Sequence, residues 1–289
     1  MRIHYEEKTY ESYFNAELSR RGVFFFPLGQ VQEGSIGADA VAMARSRWLW
    51  RRLGHPYWFS VPFKGAPYRQ MAEEMEVYLQ REITNVPNIS GNIFFQYKRS
   101  EFMVLKSAGE WANWNQPYYR YDVYQEQHDL LEHLHQKFGS DVLIVYAAPA
   151  VQDVNELVDL HNTQKIIAST NFRPAHELSG HHRNTFIEPG GHSWACSEAT
   201  RLEVFDFEGA VAQFRSDEQD TLATLRGIGQ RVEKILRDST YRRSFEVLSE
   251  LYGASALTDR TPLLKTYTTM AILRELSGIQ WTVVHRSEA

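Results

Sequence analysis

The sequence predicts an α/β protein with a mixed sheet, followed by a C-terminal helical subdomain. Two observations carry this prediction. Apolar segments of strand length alternate with amphipathic segments of helical period, in the order helix, strand, strand, strand, helix, strand, and then more helix and strand. After about residue 217, the apolar residues keep the helical period almost to the end of the chain. The alternation of helices and strands before residue 217 fits a sheet in which some neighbouring strands are parallel and others antiparallel.

The first predicted element is an amphipathic helix over residues 6–21. It ends before a glycine and carries Tyr10, Phe14 and Leu18 at i, i+4 and i+8, which places them on one face. Two short strands, "VFFFPLGQ" and "ADAVAMA", follow around a glycine-rich turn. Residues 45–91 are rich in proline and enclose one helical stretch, so we expect an irregular segment there.

The next predicted strand, "NIFFQYKRS", has two unlike faces. Successive side chains of a strand point to opposite sides, so Ile93, Phe95 and Tyr97 share the side that we expect to pack against a helix. Gln96 and Lys98 share the other side. Burial of an amide and of an ammonium costs free energy. Gln96 and Lys98 therefore lie either at a strand end that reaches the surface or in a functional site.

The middle of the chain alternates between helix, strand and segments without a clear period. Residues 103–124 are aromatic and polar and indicate a loop with little regular structure. "QEQHDLLEHLHQKFGS" predicts a helix ending at Gly139 with its histidines, His128 among them, on the surface. "DVLIVYAAPA" predicts a buried strand, "DVNELVDLHNTQ" a helix and "KIIASTNF" a strand. The long polar segment "RPAHELSGHHRNTFIEPGGHSWACSEA" indicates a loop with room for a short hairpin.

Composition limits the classes of protein. The formal net charge of -5 gives no global basic field of the kind that coats nucleic acid, although an enzyme with a local basic cleft remains compatible. Cys196 is the only cysteine, which excludes a disulfide framework and a cysteine-only zinc site. The sequence has no apolar run of about 18 residues and no apolar core of a signal peptide. We therefore expect a cytoplasmic protein without a membrane segment.

Several side chains offer what phosphodiester hydrolysis needs, namely ligands for a divalent cation and a cationic group. Asp39 would be a fixed carboxylate ligand for Mg²⁺ or Mn²⁺, Gln96 an amide oxygen ligand, and the Tyr97 backbone carbonyl a third oxygen. Lys98 would stabilise developing negative charge or orient the attacking water. Glu11 on the first helix would support a metal-bound water or a second ion.

These segments resemble the PD-(D/E)XK nuclease superfamily, in particular its Mrr-type (restriction endonuclease-like) branch. The resemblance lies in "YESYFNAELSRRGVFF", "GADAV" and "FFQYKR". In that branch a helical glutamate lies at a characteristic distance before a glycine that opens the first strand. The interval from Glu11 to Gly22 fits this distance better than the interval from Glu17 to Gly22 does. The aspartate of the second strand corresponds to Asp39, and the final Gln-x-Lys motif corresponds to Gln96 and Lys98.

The resemblance covers roughly residues 6–170 and implies a restriction-endonuclease-like α-β-β-β-α-β core with Mg²⁺-dependent cleavage of DNA. The interval between Asp39 and Gln96 is longer than in the family, which requires an insertion at about residues 45–91. The predicted domains are therefore residues 1–214, the nuclease domain with this insertion, and residues 215–289, the helical subdomain.

Basic and histidine side chains are the candidates for contact with nucleic acid. "RSRWLWRR" is the densest basic cluster and is typical of a patch that binds backbone phosphate. "EWANWNQPYYRYDVY" combines aromatic rings with an arginine, a pattern that can stack on bases or form a protein interface. The candidate nucleic-acid-binding residues are Arg45, Arg47, Arg51, Arg52, Arg99, Arg120, His181, His182 and Arg183.

Two alternatives to a nuclease remain open. A glutamine in place of an acidic ligand removes one negative charge from a metal site, so the fold could be catalytically inactive and act as a nucleic-acid-binding or assembly subunit. A zinc-dependent hydrolase built on His181, His192 and Cys196 is the second alternative.

The resemblance also bears on the biological setting. No specificity module is recognisable beside the enzyme domain, so we expect a homo-oligomer or a partner protein such as an ATPase to direct the activity. By analogy with the family, the expected role is that of an effector nuclease in a bacterial anti-phage or restriction system.

Overall fold

The computed structural model describes residues 5–21, 24–25, 72–73, 76–77, 79–80, 89–214, 220–252, 257 and 260–285. The continuous α-helices of this part of the chain are α1 (Glu7–Arg20), α2 (Trp111–Trp114), α3 (Gln125–Phe138), α4 (Val154–Asn162), α5 (Phe207–Ala212), α6 (Thr221–Asp238), α7 (Arg242–Leu251) and α8 (Pro262–Ser277). The strands are β1 (Phe24–Phe25), β2 (Ile89–Tyr97), β3 (Glu101–Met103), β4 (Tyr118–Asp122), β5 (Val142–Pro149), β6 (Thr170–Pro174), β7 (Arg183–Phe186), β8 (Ser193–Cys196), β9 (Thr200–Leu202) and β10 (Ile279–His285).

The main sheet has the strand order β1-β10-β2-β5-β6. Strands β2 and β5 are parallel, and every other neighbouring pair in this sheet is antiparallel. The predicted α/β class with a mixed sheet is therefore confirmed. The connection between the two parallel strands contains α3, as a parallel crossover requires.

Strand β2 lies between two helical layers, and its alternation of faces follows the prediction. Phe95 lies on the α1 side, where its ring centre is 5.3 Å from that of Phe14. Phe94 lies on the opposite side, 5.9 Å from the ring of Phe138 in α3. Phe14 is fully buried, and burial of such a side chain contributes about 2 kcal/mol. The apolar face of α1 thus holds the helix against the sheet.

Helix α3 ends where the sequence predicted. Gly139 caps it with a φ of 58°, a conformation that favours glycine, and β5 begins three residues later. One expectation for this helix was wrong. His128 is fully buried rather than on the surface, because its Nδ1 lies 3.0 Å from the Tyr146 hydroxyl, which supplies a hydrogen-bond partner inside the core.

A second, fully antiparallel sheet has the order β3-β4-β7-β8-β9. The expectation of a loop with little regular structure over residues 103–124 was wrong, because that segment contains α2 and β4. The short hairpin expected in the polar segment is confirmed as β7 and β8. Helix α2 lies on the outer face of this sheet, where the Trp114 indole donates a hydrogen bond to the Thr185 hydroxyl.

The C-terminal helical region is confirmed as α6, α7 and α8. Helices α6 and α8 approach closely at Gly229, where a Cβ atom would clash with the Thr266 side chain. The chain then forms β10, a strand that the sequence analysis did not predict, and inserts it between β1 and β2. Gln280 of this strand and Asn15 of α1 exchange amide hydrogen bonds, which ties β10 to the helix above it.

None of the helices in the described residues is long and apolar enough to cross a membrane.

A candidate active-site cleft at the carboxyl end of β2

Gln96 and Lys98 lie where β2 leaves the main sheet, at the carboxyl end of the parallel pair formed by β2 and β5. The backbone N–H of Lys98 still donates to the carbonyl of Ala147 in β5, so the strand geometry extends to this residue. Gln96 is 1% exposed and Lys98 4% exposed. Open α/β sheets bind ligands beyond the carboxyl ends of their strands, so this is the edge where a site is expected.

The Lys98 ammonium has a defined environment. Its Nζ donates a hydrogen bond of 2.9 Å to Oε1 of Gln127 and lies 4.5 Å from the centre of the Tyr124 ring. Burial lowers the pKa of Lys98 from 10.5 to about 8, and the nearby carboxylates of Glu7 and Asp122 oppose this shift. Lys98 therefore releases its proton far more readily than an exposed lysine.

Lys98 forms part of the wall of an open cleft with a volume of about 290 Å³. The cleft lies between the start of α1, the turn from β2 to β3 and the end of β4. Its lining residues are Glu6, Glu7, Lys98, Arg99, Glu101, Tyr121, Asp122 and Tyr124. Four of these side chains are carboxylates and two are cations, so the cleft is not a basic groove.

Glu7 is the carboxylate of α1 that reaches the cleft. Its Oε2 accepts a hydrogen bond of 3.2 Å from the backbone N–H of Arg99, which fixes the side chain beside the end of β2. Burial raises the pKa of Glu7, against the opposing effects of Lys98 and the Arg99 N–H. The sequence analysis missed this residue. The available signal was its position one helical turn before Glu11, on the same side of the helix.

Glu11, the predicted helical carboxylate, is engaged elsewhere. It is buried, and its Oε1 accepts a hydrogen bond of 2.7 Å from Arg274 near the end of α8. Its Oε2 lies 3.2 Å from the ammonium of Lys8. Glu17, the other carboxylate of this helix, accepts a hydrogen bond of 2.6 Å from the backbone N–H of Ile166. Both carboxylates thus hold α1 to the rest of the fold, and neither lines the cleft.

The Gln96 amide has one satisfied end and one unsatisfied end. Its Nε2 donates to the Tyr97 carbonyl at 3.3 Å, and its Oε1 is buried with no hydrogen-bond partner in the described part of the chain. A buried acceptor without a partner is costly. Gln96 is not among the residues that line the cleft beside Lys98. The Tyr97 carbonyl, the other predicted oxygen ligand, lies beside it.

The remaining ligand of the predicted metal site, Asp39, lies outside the described residues. Within those residues, no group of three or more His, Cys, Asp or Glu side chains has the arrangement to hold a metal ion. The three residues of the zinc alternative, His181, His192 and Cys196, are among those residues and do not form such a group. His192 lies against the Trp114 ring, and Cys196 is a buried thiol whose pKa is raised by burial.

The predicted nucleic-acid-binding residues are distributed over several environments. Arg45, Arg47, Arg51 and Arg52 lie outside the described residues. Of the others, Arg99 lines the cleft and is exposed.

Arg120 and Arg183 lie on the outer face of the second sheet, and both are held by carboxylates. Arg120 pairs with Glu101 at 2.9 Å. Arg183 pairs with Glu110 and with Asp122, each at 2.7 Å. These carboxylates largely neutralise the positive charges of Arg120 and Arg183.

The two predicted histidines lie at the start of β7. His182 is exposed, and its Nδ1 lies 2.8 Å from the Ser197 hydroxyl. His181 is half-buried, and its Nδ1 is enclosed with no hydrogen-bond partner among the residues that the structure describes. Neither histidine lines the cleft around Lys98.

Comparison of the chain with protein-family models, with curated proteins and with solved structures gave no match.

Proposed function

We propose that this protein is a metal-dependent nuclease that hydrolyses DNA phosphodiesters at the cleft beside Lys98. The observation that carries the proposal is the position and environment of Lys98. This residue is a lysine with a lowered pKa at the carboxyl end of a parallel strand pair, with its side chain at the wall of an open cleft. Perturbed titratable groups in clefts are typical of catalytic sites.

The arrangement around the strand end supports the Gln-x-Lys interpretation. In this proposal Gln96 Oε1 and the Tyr97 carbonyl would hold the cation together with Asp39. Gln96 Oε1 has no hydrogen-bond partner in the described residues, whereas the Tyr97 carbonyl accepts one from Gln96 Nε2. Bound Mg²⁺ or Mn²⁺ supplies Lewis-acid polarisation of a phosphoryl oxygen and a water of lowered pKa. Lys98 then stabilises negative charge as the phosphorus–oxygen bond breaks, and its ready proton release allows it to protonate the leaving oxygen.

Two helix N-termini border the cleft. Glu6 and Tyr124, the residues that precede the first turns of α1 and α3, both line it. Neither provides a side-chain cap to its helix, so backbone N–H groups of the two first turns remain for other acceptors. The carboxylates of the cleft oppose an anion, and a bound divalent cation would offset them.

The wider setting belongs to the same proposal. DNA is the proposed substrate, and a homo-oligomer or a partner such as an ATPase would supply targeting. The proposed role is that of an effector in a bacterial anti-phage or restriction system of the cytoplasm. The likeness of the core to a restriction-endonuclease fold is part of this proposal as well, and its support is α1, the mixed sheet and the β2–α3–β5 unit.

A catalytically inactive binding or assembly subunit is the second candidate, and the charges of the cleft favour it. Four carboxylates line the cleft against two cations, and the nearby Arg120 and Arg183 are already paired. A polyanion gains little from such a surface unless a metal ion is present.

Metal-dependent cleavage of plasmid DNA separates the two candidates. The wild-type protein should cleave in Mg²⁺ or Mn²⁺, and Lys98→Ala should lose at least about 100-fold in rate, the loss typical for a group that transfers a proton or stabilises charge. Lys106→Ala, an exposed lysine of a nearby turn, is the matched control and should cleave at the wild-type rate. Absence of cleavage by the wild type, both alone and with the product of its neighbouring gene, would refute the nuclease proposal.

A further inference from the structure

Tyr124 places an exposed aromatic ring at the wall of the cleft. It directly precedes the first turn of α3, lines the cleft together with Lys98 and is 62% exposed. The other aromatic residues of the segment 110–124, in which the sequence suggested base stacking, are less accessible. Trp111 is half-buried, and the buried rings are Trp114, Tyr118, Tyr119 and Tyr121.

The buried rings of this segment have partners within the fold, and Tyr124 differs from them. The Trp114 indole donates a hydrogen bond to the Thr185 hydroxyl, and the Tyr118 hydroxyl donates one of 2.9 Å to Glu110. The Tyr124 side chain makes no hydrogen bond within the described part of the chain. Its ring contacts the Lys98 ammonium, which lies 4.5 Å from the ring centre. The ring therefore lies beside the cationic group of the cleft, with most of its surface open to solvent.

The backbone on both sides of the ring is held in place. The N–H of Val123 donates a hydrogen bond of 2.8 Å to the carbonyl of His182, and the carbonyl of Tyr124 accepts the first helical bond of α3, 2.9 Å from the N–H of His128. A tyrosine side chain has few torsions left to restrict, so little conformational entropy is lost when a ligand packs against it. The ring is thus positioned before any ligand arrives, which favours binding.

The size of the cleft limits what can pack on this ring. Its volume of about 290 Å³ lies at the lower end of the roughly 300–1,000 Å³ that is typical of sites for small ligands. Such a space fits a single nucleotide and not a double helix. Bases within a duplex are covered by their neighbours, whereas an unpaired base has a free face that can stack on an aromatic side chain.

The charges of the cleft also favour a contact with a base. Its four carboxylates repel the phosphates of a DNA strand, but they do not repel a neutral base. Stacking on an aromatic ring is tolerant of sequence, because every base has a π-face. A base on Tyr124 would therefore add affinity that the carboxylates do not oppose.

We propose that Tyr124 is a stacking platform for an unpaired base of a DNA strand, namely a base that adjoins the phosphate beside Lys98. The inference rests on the proposed function, because it assigns the neighbouring nucleotide at the same site. It narrows the substrate class to single-stranded or locally unpaired DNA.

The test compares two strands that carry the same phosphates. One is a short single strand of thymidine nucleotides, and the other is a strand of equal length from which every base is absent. Their affinities are measured by fluorescence anisotropy in Ca²⁺ in place of Mg²⁺, and gel electrophoresis establishes that the strands remain intact. The wild type should bind the thymidine strand about 5-fold or more tightly than the abasic strand, as stacking on one ring provides.

Two substitutions of Tyr124 then locate the effect. Tyr124→Leu removes the aromatic face and should bind the two strands with nearly equal affinity, by losing affinity for the thymidine strand alone. Tyr124→Phe keeps the ring and is the matched control, so it should retain the wild-type preference. Tyr124→Gln, a second variant without a ring, repeats the measurement, and unfolding temperatures establish that the variants are folded.

Three results would overturn the proposal. The first is a wild type that does not distinguish the two strands. The second is a Tyr124→Leu protein that keeps the preference for bases. The third is an equal loss of affinity for both strands, which would mean that the ring acts through Lys98 and not through a base.

Cleavage assays separate this inference from the proposed function. If the wild type cleaves plasmid DNA but the preference for bases does not depend on Tyr124, the stacking inference fails and the nuclease proposal stands. If the wild type does not cleave but the preference depends on Tyr124, the nuclease proposal fails, and the cleft is a site that binds unpaired DNA without hydrolysing it.

Discussion

Replacement of Lys98 by methionine should make the protein more stable at neutral pH. At pH 7 the lysine is charged in both the folded and the unfolded chain, and the fall of its pKa from 10.5 to about 8 corresponds to the net cost of burying that charge after the attraction of Glu7 and Asp122 is included. At about 1.36 kcal/mol per pKa unit, this cost is about 3 kcal/mol. The lost hydrogen bond to Gln127 subtracts about 1 kcal/mol, so Lys98→Met should gain about 2 kcal/mol.

The gain should depend on pH in a defined direction. Between about pH 8 and pH 10.5 the unfolded chain holds a proton that the folded protein has released, so the free energy of unfolding of the wild type rises with pH. Lys98→Met lacks this rise. Its advantage of about 2 kcal/mol at pH 7 should therefore shrink through this window and reverse to a deficit of about 1 kcal/mol above it.

Urea unfolding of both proteins at neutral and alkaline pH measures this difference, and groups common to the two proteins cancel in it. The exposed Lys106→Met variant serves as control and should stay within about 0.5 kcal/mol of the wild type throughout. A Lys98→Met protein that is less stable than the wild type at pH 7, by the same amount at every pH, would refute the reasoning.

Three further substitutions test the contacts that hold α1, each by urea unfolding against the wild type. Glu17→Ala should cost about 1–3 kcal/mol because it strips the buried N–H of Ile166 of its acceptor, and a cost below about 0.5 kcal/mol would contradict that role. Arg274→Met should cost about 1.5–3 kcal/mol because it removes a charge-assisted hydrogen bond to the buried Glu11, and adding Glu11→Gln should recover part of the loss; no recovery would show that the charge is not the cause. Phe14→Ala should cost about 3–5 kcal/mol as a fully buried ring, and a small loss would mean that the sheet closes over the gap.

The elements that the sequence predicted are those whose periodicity is local. The spacing of Tyr10, Phe14 and Leu18 defined α1, Gly139 defined the end of α3, and the apolar run of residues 142–149 defined β5. The alternation in β2 also placed Gln96 and Lys98 on the face opposite the apolar side chains that meet α1. Each of these signals lies within about 15 residues, which is the range over which a period can be read.

The parts that the sequence did not predict depend on distant partners. The second sheet consists of short strands with polar outer faces, and they acquire their hydrogen bonds only from one another. Strand β10 pairs with β2, far earlier in the chain, and nothing near residues 279–285 signals that partner. The choice between Glu7 and Glu11 depends on how α1 is rotated against the sheet, and the pairing of Glu11 with Arg274 follows from the position of α8.

The insertion of β10 beside β2 sets the order in which the sheet can be completed during synthesis. Until residues 279–285 have left the ribosome, β2 can pair with β5 on one side, but its other edge is an unpaired apolar strand. Such edges are templates for association with other chains. Pairing across so much of the sequence also slows folding. The nascent chain therefore exposes this edge from the time that β2 emerges until residues 279–285 follow, and association with other chains competes with folding during that interval.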